Sequence, residues 1–78
     1  MEQILKTLQE IQLDALKKGV CSFHLNIIRT DDGNFAIATS IRLRDDDTDG
    51  DYLSETFYPY TFGSKYKIER IKAFINSL

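Results

Sequence analysis

The hydrophobic period of this chain changes twice, and that change restricts its fold more than any other feature of the sequence. From Ile4 to Leu16 the apolar residues Ile4, Leu5, Leu8, Ile11, Ala15 and Leu16 recur at helical spacing. At about 100° per residue they form one stripe, which predicts an amphipathic helix. Lys17 and Lys18 suit the negative carboxyl-terminal end of such a helix, and Gly19 takes the left-handed conformation that stops it. Leu13 projects from the far side as a single exposed leucine.

From Cys21 the period falls to two. Cys21, Phe23, Leu25 and Ile27 alternate with Ser22, His24, Asn26 and Ile28, the pattern of a half-buried strand. After "TDDGN", Phe35, Ile37, Thr39, Ile41 and Leu43 point one way and Ala36, Ala38, Ser40, Arg42 and Arg44 the other. Asp32 and Gly33 between the two runs signal a hairpin, because tight hairpin turns need positive φ. Tyr52 to Tyr58 reads as a third strand at a sheet edge, with Leu53 and Phe57 sharing a face with Glu55, and Pro59 ends it. The helical period then returns over Ile68, Ile71, Phe74, Ile75 and Leu78. Ser64 is the expected N-cap of this second helix, and Lys65, Lys67, Arg70 and Lys72 are expected to stay largely in water.

These segments predict one α+β domain over residues 1–78, in the order α-β-β-β-α. Two helices with one apolar stripe each, and a sheet with one greasier face, are satisfied together when both helices pack on the same face of a three-stranded antiparallel sheet. The opposite face is then open. A chain of 78 residues builds one small core and no deep substrate cavity. The single cysteine forbids an intramolecular disulfide. The start "MEQILKTLQE" lacks the basic and apolar regions of a signal peptide, and no apolar run approaches the roughly 20 residues that cross a bilayer. The expectation is a cytoplasmic protein without membrane contact.

Residues with chemical potential are few. There is no Gly-rich phosphate loop, nucleophile elbow or metal-ligand cluster, so no cofactor and no enzymatic activity are expected. Cys21 and His24 are three apart and fall on opposite sheet faces, with Cys21 expected as a buried, inert thiol and His24 on the open face. Asp45, Asp47, Asp49 and Gly50 are spaced as in a calcium loop. The closing bidentate position, however, falls on Thr56 rather than Glu55, and the flanks read as strands. A solvated connection is the expected role of this run, with weak calcium binding by Asp45, Asp47 and Asp49 as an alternative.

The open face carries the principal candidate site: His24, Asn26, Ser40, Arg42, Arg44, Tyr52 and Tyr58. Small side chains leave a sheet accessible, and Arg and Tyr are enriched where binding energy concentrates. The expected partner is another protein or a second copy of the chain. The order of elements also resembles that of double-stranded RNA-binding domains over nearly the whole chain. That resemblance implies RNA binding as an alternative, with Lys65, Lys67 and Arg70 in "GSKYKIERIK" meeting phosphates at the start of the last helix. The chain departs from the family where the first hairpin would enter the minor groove, since "TDDGN" presents Asp31 and Asp32 there. Tyr66, Ile68 and Glu69 also interrupt the lysine run.

Overall fold

The computed structural model describes residues 2–44, 51–58 and 63–77. Its elements are α1 (Glu2–Lys18), β1 (Ser22–Arg29), β2 (Phe35–Arg42), β3 (Tyr52–Phe57) and α2 (Ser64–Asn76). The strands form an antiparallel sheet in the order β1-β2-β3. The architecture is the expected α-β-β-β-α arrangement, with both helices on one sheet face and β2 as the central strand.

Local chemistry sets the boundaries. Gly19 adopts φ 105°; its N–H donates to the Leu16 carbonyl at 3.2 Å and the Val20 N–H to the Ala15 carbonyl at 3.1 Å. These are the two bonds of a Schellman stop, completed by contact between apolar residues on either side of the glycine, here the buried Val20 and Ala15. The first hairpin closes through Gly33 at φ 86°, with the Gly33 N–H on the Thr30 carbonyl at 3.0 Å and the Thr30 N–H on the Asn34 carbonyl at 2.8 Å. The Asp32 carboxylate braces the turn by accepting from the Thr30 hydroxyl and the Asn34 N–H. Those bonds hold its pKa below the usual carboxylate range.

Two boundary expectations are corrected. Ser64 is the first residue of α2, and the cap is Gly63 at φ 105° with no side-chain cap bond. The chain enters this helix from the left-handed region, which glycine occupies without the steric cost serine would bear. Cys21 is exposed, because β1 begins at Ser22 and the inward place at this end belongs to Val20.

Cross-strand rows on the inner face run Phe23–Ile41–Leu53, Leu25–Thr39–Glu55 and Ile27–Ile37–Phe57. Phe23, Ile41 and Leu53 of the first row and Ile37 and Phe57 of the third meet Leu8 and Ala15 of α1 and Ile71 and Ile75 of α2 in one core, while Ile27 stays exposed. Burying a side chain such as Leu8 or Ile71 contributes about 1.5–3 kcal/mol. The middle row is polar. Thr39 is buried and donates its hydroxyl to the Glu55 carbonyl at 2.8 Å. The Glu55 carboxylate, 10 % exposed, meets the Arg70 guanidinium at 2.9 Å. No buried side-chain nitrogen or oxygen lacks a partner among the described residues.

Successive residues of an antiparallel strand turn their backbone N–H and C=O alternately toward and away from the neighbour. The Thr30–Asn34 bond continues the β1–β2 register, so even-numbered residues of β1 face β2 and Phe23, Leu25, Ile27 and Arg29 turn outward. The Leu43 N–H bonds the Asp51 carbonyl at 2.8 Å, so odd-numbered residues of β3 face β2 and Tyr52, Ser54 and Thr56 turn outward. Each helix closes one outward carbonyl of the strand beneath it. Gln12 Nε2 donates to the Phe23 carbonyl at 2.8 Å, and Lys67 Nζ to the Thr56 carbonyl.

Candidate functional site

The outer sheet face is a grid fixed by strand register. Its rows are Ser22–Arg42–Tyr52, His24–Ser40–Ser54 and Asn26–Ala38–Thr56, continued by Ile28 and Ala36. No helix covers it. Placement on this face follows from alternation alone: every residue here is one position removed from an inward-facing partner. His24, Asn26, Tyr52 and Ser54 are exposed, and Ser40 and Arg42 half-buried between their neighbours. Among its described residues the face carries no carboxylate, although the chain as a whole has net charge −2.

One end of the grid is organised around Tyr52. The Arg42 guanidinium carbon lies 5.9 Å from the centre of the Tyr52 ring, a cation–π distance. The Ser40 hydroxyl bonds the Tyr52 hydroxyl at 3.0 Å. Arginine and tyrosine are thereby held in fixed orientations before any partner arrives, which lowers the ordering cost of binding. Arg44 stands past the last row and is drawn toward the buried Asp51, with Nη1 3.7 Å from its carboxylate.

The other end is recessed and mixed in character. Ala36, expected to be open, is fully buried. Its methyl group is the shortest in the row, and it lies between the strands that carry Ile28 and Tyr58. These two side chains join Arg29, Thr30, Asp31 and Asp32 around an open cleft of about 480 Å³. The sequence offered no signal for this cleft, because its walls come from a strand, a turn and the residue after β3.

The structure therefore brings His24, Asn26, Ser40, Arg42 and Tyr52 onto one surface, with Tyr58 at its far margin and Arg44 beyond its near one. The basic residues assigned to RNA are placed differently. Lys67 was expected in water; instead it caps the Thr56 carbonyl and lies 5.7 Å from the centre of the Phe57 ring. Arg70 keeps a largely exposed guanidinium but points it at Glu55. Lys65 is exposed. Asp45, Asp47, Asp49 and Gly50 lie outside the described residues, as do Pro59 and Leu78. Among the described residues no three His, Cys, Asp or Glu side chains gather as metal ligands, and no helix is long and apolar enough to cross a membrane. Comparison with protein-family models, curated proteins and solved structures finds no match.

Proposed function

We propose that this chain is a small non-enzymatic interaction module that binds a protein partner, or a second copy of itself, through the outer sheet face. The observation that carries the reading is the uncovered, carboxylate-free grid with Arg42 and Tyr52 locked together at one end. Small residues at Ser40, Ala38 and Ser54 let a partner approach the sheet, while arginine and tyrosine supply the side-chain types that dominate binding energy. Size sets the expected strength. Two eight-residue strands and one of six, at about 3.3 Å per residue and about 4.8 Å apart, give a face of roughly 350 Å². A stable interface takes about 800 Å² from each partner. One face alone thus suits a transient complex.

The RNA-binding alternative loses support from the commitments of Lys67 and Arg70, which leave Lys65 as the basic residue at the start of α2 without such a link. The test is Arg42→Glu combined with Tyr52→Ala, both on the uncovered face, with circular dichroism and urea denaturation showing that the double variant folds. Proteins retained by the immobilised wild-type chain are expected to be lost by the double variant. Unchanged retention overturns the proposal. A low-salt mobility shift with RNA that weakens on Lys65→Glu, while the double variant has no effect, supports the nucleic-acid alternative instead.

A further inference from the structure

We propose that two copies of this chain pair through the free edges of β1, antiparallel about a two-fold axis at Ile27, to form one continuous six-stranded sheet. The proposal is independent of what binds the outer face.

The free edge is defined by what does and does not cover it. Phe23, Leu25, Ile27 and Arg29 turn their backbone groups outward, and Gln12 occupies the Phe23 carbonyl at 2.8 Å. Helix α1 reaches the edge at Gln12, and at its first turn Glu2 and Leu5 share a hollow of about 160 Å³ with Ile27 of β1 and Phe35 and Ile37 of β2. Among the described residues no side chain closes the outward backbone groups of Leu25, Ile27 and Arg29, and Ile27 and Phe35 are each 60 % exposed and Ile28 42 %. Natural sheets shield such edges with lysine, proline, bulges or covering elements. In this segment, "LNIIR", the one charged side chain is Arg29 at its end, and it has neither proline nor bulge.

A second copy is the occupant that the residues themselves specify. Symmetric antiparallel pairing about Ile27 sets Ile27 against Ile27, and Leu25 of each copy against Arg29 of the other. It uses every open outward residue and leaves the Phe23 carbonyl to Gln12. Moving the axis to Asn26 would require that carbonyl and strand the Arg29 groups. Charge agrees with the chosen register: Arg29 is the one ionisable residue in the segment. Each Arg29 faces a leucine and sits about 13 Å along the strands from its twin. The isologous contact also doubles the outer face to roughly 700 Å², close to what a stable complex takes from one partner.

Sedimentation of the full chain under reducing conditions, which keep exposed Cys21 out of disulfides, tests the proposal from about 1 µM to about 1 mM. A concentration-dependent dimer is expected. Amide exchange at Leu25, Ile27 and Arg29 slows as it forms, while exchange at His24, Asn26 and Ile28 is protected throughout. Ile27→Pro removes an N–H that points out of the sheet, and it is expected to weaken the dimer about a hundredfold or more. Ile27→Lys, at the same exposed position, does the same should the proline variant fold poorly. A monomer across the whole range overturns the proposal. So does a dimer indifferent to both substitutions but lost in the Arg42→Glu, Tyr52→Ala variant, which would place self-association on the outer face.

Discussion

The two edges of this sheet are protected by the same device applied at different places. On β1, Gln12 closes the Phe23 carbonyl near the start of the strand; on β3, Lys67 closes the Thr56 carbonyl near its end. The positions decide the outcome. Beyond Phe23 the β1 edge still offers Leu25, Ile27 and Arg29 in an unbroken run, flanked by exposed isoleucine and phenylalanine. Beyond Thr56, β3 offers only Tyr52 and Ser54 among its outward residues, and its cap brings a charged group to the edge. Charge and brevity both discourage strand addition. Edge protection here belongs to the path of each helix over the sheet rather than to the composition of the strands.

The most severe way to break this comparison is to place proline one residue away from the free edge. Ile28→Pro deletes an N–H that faces β2 and is expected to cost about 3 kcal/mol or more, a large fraction of the roughly 4–12 kcal/mol that stabilises a domain of this size. Ile27→Pro, one residue earlier, should retain most of its stability in urea denaturation. Equal losses at both sites would show that the outward assignment of Ile27 is wrong. A smaller effect separates the caps. Lys67→Met should cost about 1 kcal/mol by leaving the Thr56 carbonyl to solvent. Gln12→Leu should cost about as much, but it also lengthens the open β1 edge and should strengthen self-association in sedimentation. If both substitutions alter self-association alike, the two edges are equivalent and the distinction fails.

The smallest expected effect lies at the tip of the hairpin that carries the free edge. The Asp32 pKa is lowered in the folded chain by bonds from Thr30 and Asn34. Its contribution to stability is therefore present above the ordinary carboxylate pKa of about 4 and disappears as the pH falls through the lowered folded value. Thermal melts of the native chain and Asp32→Asn should differ at pH 7 and converge toward pH 3. A constant gap would assign the turn's stability to Gly33 alone.

Much of this architecture is legible in the sequence. The switch between periods 3.6 and 2 locates all five elements, and alternation assigns His24, Asn26, Ser40 and Arg42 to the uncovered face. Those patterns are local, and each residue type reports its own surroundings. Lys67 and Arg70 were misplaced for the opposite reason. On the helix they read as ordinary solvated bases, and only the packing of α2 against β3 brings them to Thr56 and Glu55. Gln12 gave no signal at all, since its partner is the backbone of Phe23, and backbone groups carry no sequence signature. Cys21 followed the strand alternation in sequence, but the Gly19 stop places Val20 inward instead.

The Leu25–Thr39–Glu55 row has one more consequence. Alternating hydrophobicity forbids β3 from sliding by one residue, which would turn Leu53 and Phe57 outward, yet it tolerates a slide of two. Such a slide would set the Glu55 carboxylate opposite Ile37 or Ile41 and out of line with Arg70. Glu55 thereby works as a key cut for one lock, admitting a single alignment of the third strand where grease alone would accept several.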